Sequence, residues 1–124
     1  GCTDGKLARL HDSVERAEAL HLPVLVGTEM NSPGNKFVDD FDTAELTPFM
    51  PIFTKGMNIV YAHTVLQQAA GLGYLSDWAK GAFADIEAKN AFYKAFGEQF
   101  APGQEDCLAG VTEASTPDEI LAAL

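Results

Sequence analysis

The sequence predicts a helix-rich α/β fold, a small sheet of one or two short strands packed by four to five helices. Three observations carry that expectation. Pro23-Val24-Leu25-Val26-Gly27 is a short, continuous apolar run, the pattern of a strand buried on both faces. It follows an amphipathic helical pattern through a two-residue joint, which makes an α/β unit. From residue 64 to about 100 the apolar residues recur at three- and four-residue spacing, the period of helices.

Along the chain, residues 6–21 place Leu7, Leu10, Val14, Ala17 and Leu20 or His21 on one face, with Arg9, Asp12, Glu15, Arg16 and Glu18 on the others. Thr3 or Asp4 supplies the N-cap, and His21-Leu22-Pro23 ends the helix because proline cannot continue it. The first strand covers 23–27. Residues 28–42 form a long polar loop with turn chemistry at Asn31-Ser32-Pro33-Gly34-Asn35, packed down by Phe37, Val38 and Phe41. Asp42 or Thr43 caps a helix over 44–55, with Pro48 in its first turn, a kink expected at Pro51 and a stop at Lys55-Gly56. Met57-Asn58-Ile59-Val60-Tyr61-Ala62 is the second strand.

The helical pattern resumes at 64, breaks at Gly71 and Gly73, continues over Leu75–Lys80 and closes with a longer helix over about 83–100. Phe92, Phe96 and Phe100 stand four apart and line one face, the spacing of a core stripe. Tyr74 and Trp78 are expected to pack between helices, and His11 to lie on the surface. After the loop 103–115, Thr116-Pro117-Asp118-Glu119 starts a last short helix with N-cap, N1 proline and acidic first turn.

The 124 residues form a single domain, 1–124, with a hydrophobic fraction of 47% that argues against disorder. Eighteen acidic against eight basic residues give a formal charge of −10, which repels phosphate backbones and anionic lipid, so no nucleic-acid or membrane partner is expected. No apolar run approaches the roughly 20 residues of a membrane span. The chain begins Gly1-Cys2-Thr3 without the basic and apolar regions of a signal peptide, which fits either an added residue or an upstream start. Cys2 and Cys107 are isolated thiols in no framework, which points to a reducing compartment and a cytoplasmic location.

Candidate chemistry gathers past the two expected strands. Glu29, Asn31 and His63 offer a carboxylate, an amide and an imidazole, groups that bind a divalent metal or share a proton. Alternatively, Glu29 and Asn31 cap loop amides and His63 caps the following helix. The acidic run Asp39, Asp40, Asp42 and Glu45 does not have calcium-loop spacing and reads as a helix cap with solvated neighbours. No serine lies in a G-x-S-x-G context, neither cysteine has a partner pattern, and Gly71-Leu72-Gly73 is too short for a phosphate-binding fingerprint.

Val26-Gly27-Thr28-Glu29-Met30-Asn31 resembles the closing strand of the PHP family of metal-dependent phosphoesterases, whose last strand typically ends in G-S-D-x-H. Glutamate here stands for the aspartate and asparagine for the histidine. Residues 32–41 and Tyr61-Ala62-His63-Thr64-Val65-Leu66 are similar to the tail of larger PHP-like proteins, so the resemblance covers about residues 5–100. It implies the C-terminal portion of a distorted TIM-like barrel, a metal site using Glu29, Asn31 and His63, and Mn, Zn or Mg as the cation. The family's HxDxH motif is not in this chain, and a full barrel takes about 200 residues or more. The implied function is therefore that of a relative of PHP-type hydrolases without full activity on its own. A barrel portion leaves apolar faces to be covered, so self-association is expected, with the phenylalanine-rich helix as a ready interface. The competing reading is a small acidic oligomeric binding or interaction protein with no catalytic role.

Overall fold

The computed structural model describes residues 2–25 and 46–124 of the chain. Among these residues the regular structure is entirely helical: α1 (Cys2–Ala19), α2 (Met50–Ala70), α3 (Asp77–Ala82), α4 (Ile86–Gln99) and α5 (Pro117–Ala122), with 3-10 turns at Thr47–Phe49 and Glu105–Leu108. The expected α/β fold is thereby corrected to an all-helical one, since neither expected strand forms among the described residues.

The second strand is overturned outright, because Met57–Ala62 lies in the middle of α2. A six-residue apolar run does not by itself distinguish a strand from a buried stretch of helix. The exposure pattern settles it: Ile59, Ala62 and Leu66 are buried while Met57 and Val60 are exposed, a period of three to four rather than two. The first strand fails with it. Pro23, Val24 and Leu25 adopt no regular structure, Leu25 is exposed, and Val26 and Gly27 fall outside the described residues. A strand needs a neighbour to satisfy its amides and carbonyls, and the expected neighbour is helix. With no sheet in the described residues, the barrel portion implied by the PHP resemblance has no counterpart there.

Two stop signals also gave way. Gly56 continues α2 for a further 14 residues, at a cost of about 1 kcal/mol relative to alanine. Pro51 sits at the second position of α2, where the missing N–H would have had no partner, so no kink is needed. The expected caps at Asp42 and Thr43 lie outside the described residues.

The chain divides into two compact units, Gly1–Lys55 and Gly56–Leu124. In the first, Val14, Phe49 and Phe53 are buried, with Leu7, Leu10 and Val24 packed against them. The apolar face of α1 is thus the one its sequence period marks. The helix ends in a Schellman motif: His21 takes a left-handed φ of 55°, its amide donates to Glu18, and that of Leu22 donates to Ala17 at 2.8 Å. Lys55 Nζ donates to both carboxylate oxygens of Glu18, at 2.9 and 3.1 Å. His11 is exposed as expected, yet its ring lies 4.6 Å from that of Phe49.

In the second unit, Ile59, Ala62 and Leu66 of α2 and Phe92, Tyr93 and Phe96 of α4 form a core completed by Phe100, Leu72, Ala79, Leu108 and Ile120. The phenylalanine stripe is therefore internal to this unit, and its members are not an exposed interface. Truncating a ring as fully buried as Phe96 costs about 3–5 kcal/mol. The short helices are set by their caps. Ser76 Oγ accepts from the Ala79 amide, Asp85 Oδ1 accepts from that of Ala88 at 2.7 Å, and Thr116 and Glu119 form a reciprocal capping box. Among the described residues no helix is long and apolar enough to cross a membrane.

Candidate binding cleft

The second unit contains an open cleft of about 660 Å³, walled by His63 and Gln67 of α2, the turn Gly71 and Leu75-Ser76, Asp77 and Trp78 of α3, and Glu113 before α5. Its geometry follows from how α2 ends. Gly71 takes a left-handed φ of 70°, a conformation that costs other residues about 1–2 kcal/mol, and the chain turns back along its own helix. The Leu72 amide donates to the Leu66 carbonyl, and the Leu72 side chain is fully buried.

The returning backbone is tied to two α2 side chains one turn apart. Tyr74 N–H donates to His63 Nδ1 at 2.9 Å, and Gly73 N–H donates to Gln67 Oε1 at 3.1 Å. His63 thereby uses Nδ1 as an acceptor, which in the neutral ring leaves the proton on Nε2. Gly73 admits this arrangement because a Cβ there would stand 2.7 Å from His63 Nδ1.

The far wall is equally fixed. Trp78 Nε1–H donates to the Ser115 carbonyl at 3.0 Å, and the indole packs edge-on to Phe83 and Phe92 with centroids 5.7 and 5.8 Å away. Beneath the turn, Tyr93 Oη–H donates to the Leu72 carbonyl at 2.7 Å, and Tyr74 Oη–H donates to Asn90 Oδ1. Lys89 Nζ sits 3.9 Å from the centre of the Tyr74 ring. Burial pushes both phenols above their ordinary range, and for Tyr93 the neighbouring Tyr74 adds to the shift.

Of the expected site residues, His63 is placed in this cleft, on a helix rather than at the end of a strand. Glu29 and Asn31 lie outside the described residues, as do Asp39, Asp40, Asp42 and Glu45. Among the described residues no group of three or more His, Cys, Asp or Glu side chains is placed to hold a metal ion. Tyr74 and Trp78 do pack between helices, as their positions suggested. Sequence reasoning missed Gln67, Asp77 and Glu113, which line the cleft together with His63. The one local signal was the Gly71/Gly73 pair, which marks a sharp return of the chain after a helix.

Compared with known protein families, with curated proteins and with solved structures, the chain matches none.

Proposed function

We propose that the chain acts as a non-catalytic binding module that holds a small polar molecule in the cleft of its second unit. One observation carries the reading: three polar side chains lining a single concavity, His63 and Gln67 of α2 and Trp78 of α3, are each held in place by a hydrogen bond to backbone. Binding sites are concave and use a few polar groups held in advance, because immobilising them on binding would cost affinity. The cleft is open, and its acidic members, Asp77 and Glu113, stand on different segments. The net charge of −10 speaks against a nucleic-acid ligand. Cys107 is a free, exposed thiol, which suits a reducing compartment such as the cytoplasm.

The test is a screen of polar fragments against the isotope-labelled full chain, followed by amide and indole NMR shifts. Binding at the cleft moves the Gly73 and Tyr74 amides and the Trp78 indole N–H together, and His63→Ala weakens it. Shifts confined to other segments, or none with any fragment, overturn the reading.

A further inference from the structure

The walls of this cleft also indicate which chemistry it selects, an inference that rests on the binding reading above. We propose that it takes a small organic cation, an ammonium group carried on a compact apolar body. The ionisable side chains at its wall are Asp77, Glu113 and His63, with neither lysine nor arginine among the lining residues. Among the described residues, Asp77 is paired with Lys80, at 3.7 Å with both side chains largely solvated. An exposed pair of that kind is weak and easily exchanged for a ligand's charge.

An indole is the best aromatic partner for a cation, and Trp78 is pre-oriented by Ser115, Phe83 and Phe92. Leu75, 74% exposed at the cleft, offers apolar surface to the ligand's body. The field of the unit points the same way, since residues 56–124 carry three lysines against nine aspartates and glutamates. An anion finds no lysine or arginine among the lining residues. The Ala79 amide at the start of α3 is already taken by Ser76 Oγ, and the side chains on either side are carboxylates.

Trp78 is the only tryptophan of the chain, so its emission reports on the cleft directly. The experiment titrates the full chain with benzylamine, benzyl alcohol and benzoate, which share a ring and carry positive, zero and negative charge at neutral pH. Benzylamine is expected to change Trp78 emission saturably and to bind at least about fivefold more tightly than the alcohol, with benzoate silent. Glu113→Gln weakens the amine by about two- to fivefold, leaves the alcohol unchanged and leaves the thermal midpoint in place. Added salt weakens the amine alone. Equal binding of amine and alcohol, or preference for benzoate, overturns the cation assignment while the binding reading stands. Silence with all three probes also overturns it, and the binding reading falls as well only if the fragment screen shows nothing at the cleft.

Discussion

Gly97 of α4 runs so close to Asn58 of α2 that a Cβ on Gly97 would stand 2.8 Å from the Asn58 carbonyl carbon. Backbone meets backbone at this crossing, and neither can swing aside as a side chain would. The close approach is also what brings Ile59 and Ala62 into the same core as Tyr93 and Phe96. Gly97→Ala is expected to destabilise the protein by roughly 2–3 kcal/mol, through overpacking. Chemical denaturation checks it. A midpoint within error of the wild type would mean that the crossing is looser than described.

Gly73 makes a contrasting case. A Cβ there would press on the ring of His63 and the amide of Gln67, which are side chains and can move. Gly73→Ala is therefore expected to cost about 1 kcal/mol, the worth of the hydrogen bonds it disturbs, and to damage the cleft more than the fold. The Tyr74 amide should exchange faster with solvent while the Tyr93 and Phe96 amides keep their protection. Uniform loss of protection would contradict this.

Tyr93 predicts a pH dependence. Its hydroxyl donates to the Leu72 carbonyl and its pKa is raised by burial, so the folded state favours the neutral phenol. The associated stability is full below the unfolded value of about 10 and is lost as pH rises above it. Wild-type stability should fall steeply in alkali, and Tyr93→Phe should flatten that fall. At neutral pH the variant loses about 1–2 kcal/mol because the Leu72 carbonyl is left without its partner. Denaturation midpoints measured on both sides of pH 10 decide the matter, and parallel pH profiles for the two proteins would refute it.

The capping box of α5 sets a fourth expectation. A six-residue helix is far too short to persist alone, so α5 depends on Ile120 in the core and on the reciprocal bonds of Thr116 and Glu119. Thr116→Ala should cost about 1 kcal/mol, with the Glu119 and Ile120 amides losing hydrogen-exchange protection first. Unchanged exchange at those two amides would show that the Ile120 anchor suffices.

What could be read in advance was whatever depends on neighbours within a turn or two. The polar face of α1, the stop at His21-Leu22-Pro23, the start of α5 and the core stripe Phe92, Phe96 and Phe100 all follow from spacing and capping chemistry. The structure bears each of them out. The reading failed where a local signal was compatible with two states. Met57–Ala62 is apolar enough for a strand, and Lys55-Gly56 resembles a helix end. Yet Lys55 is engaged by Glu18, 37 residues away, and Ile59 is buried by residues of α4 and beyond.

The cleft shows the same division. His63 was singled out by the sequence, but as the end of a strand. Tertiary structure places it within α2, joins it to Tyr74 and sets it in one cleft with Trp78 and Glu113, a residue 50 positions further along the chain. The sequence by itself determined the helix period, the end of α1, the start of α5 and the strongly acidic composition, because these arise from each residue and its near neighbours. Only tertiary structure decided helix against strand in α2 and the composition of the cleft. Burial of one face over another, and the meeting of side chains far apart in sequence, are energies that exist only once the chain has packed.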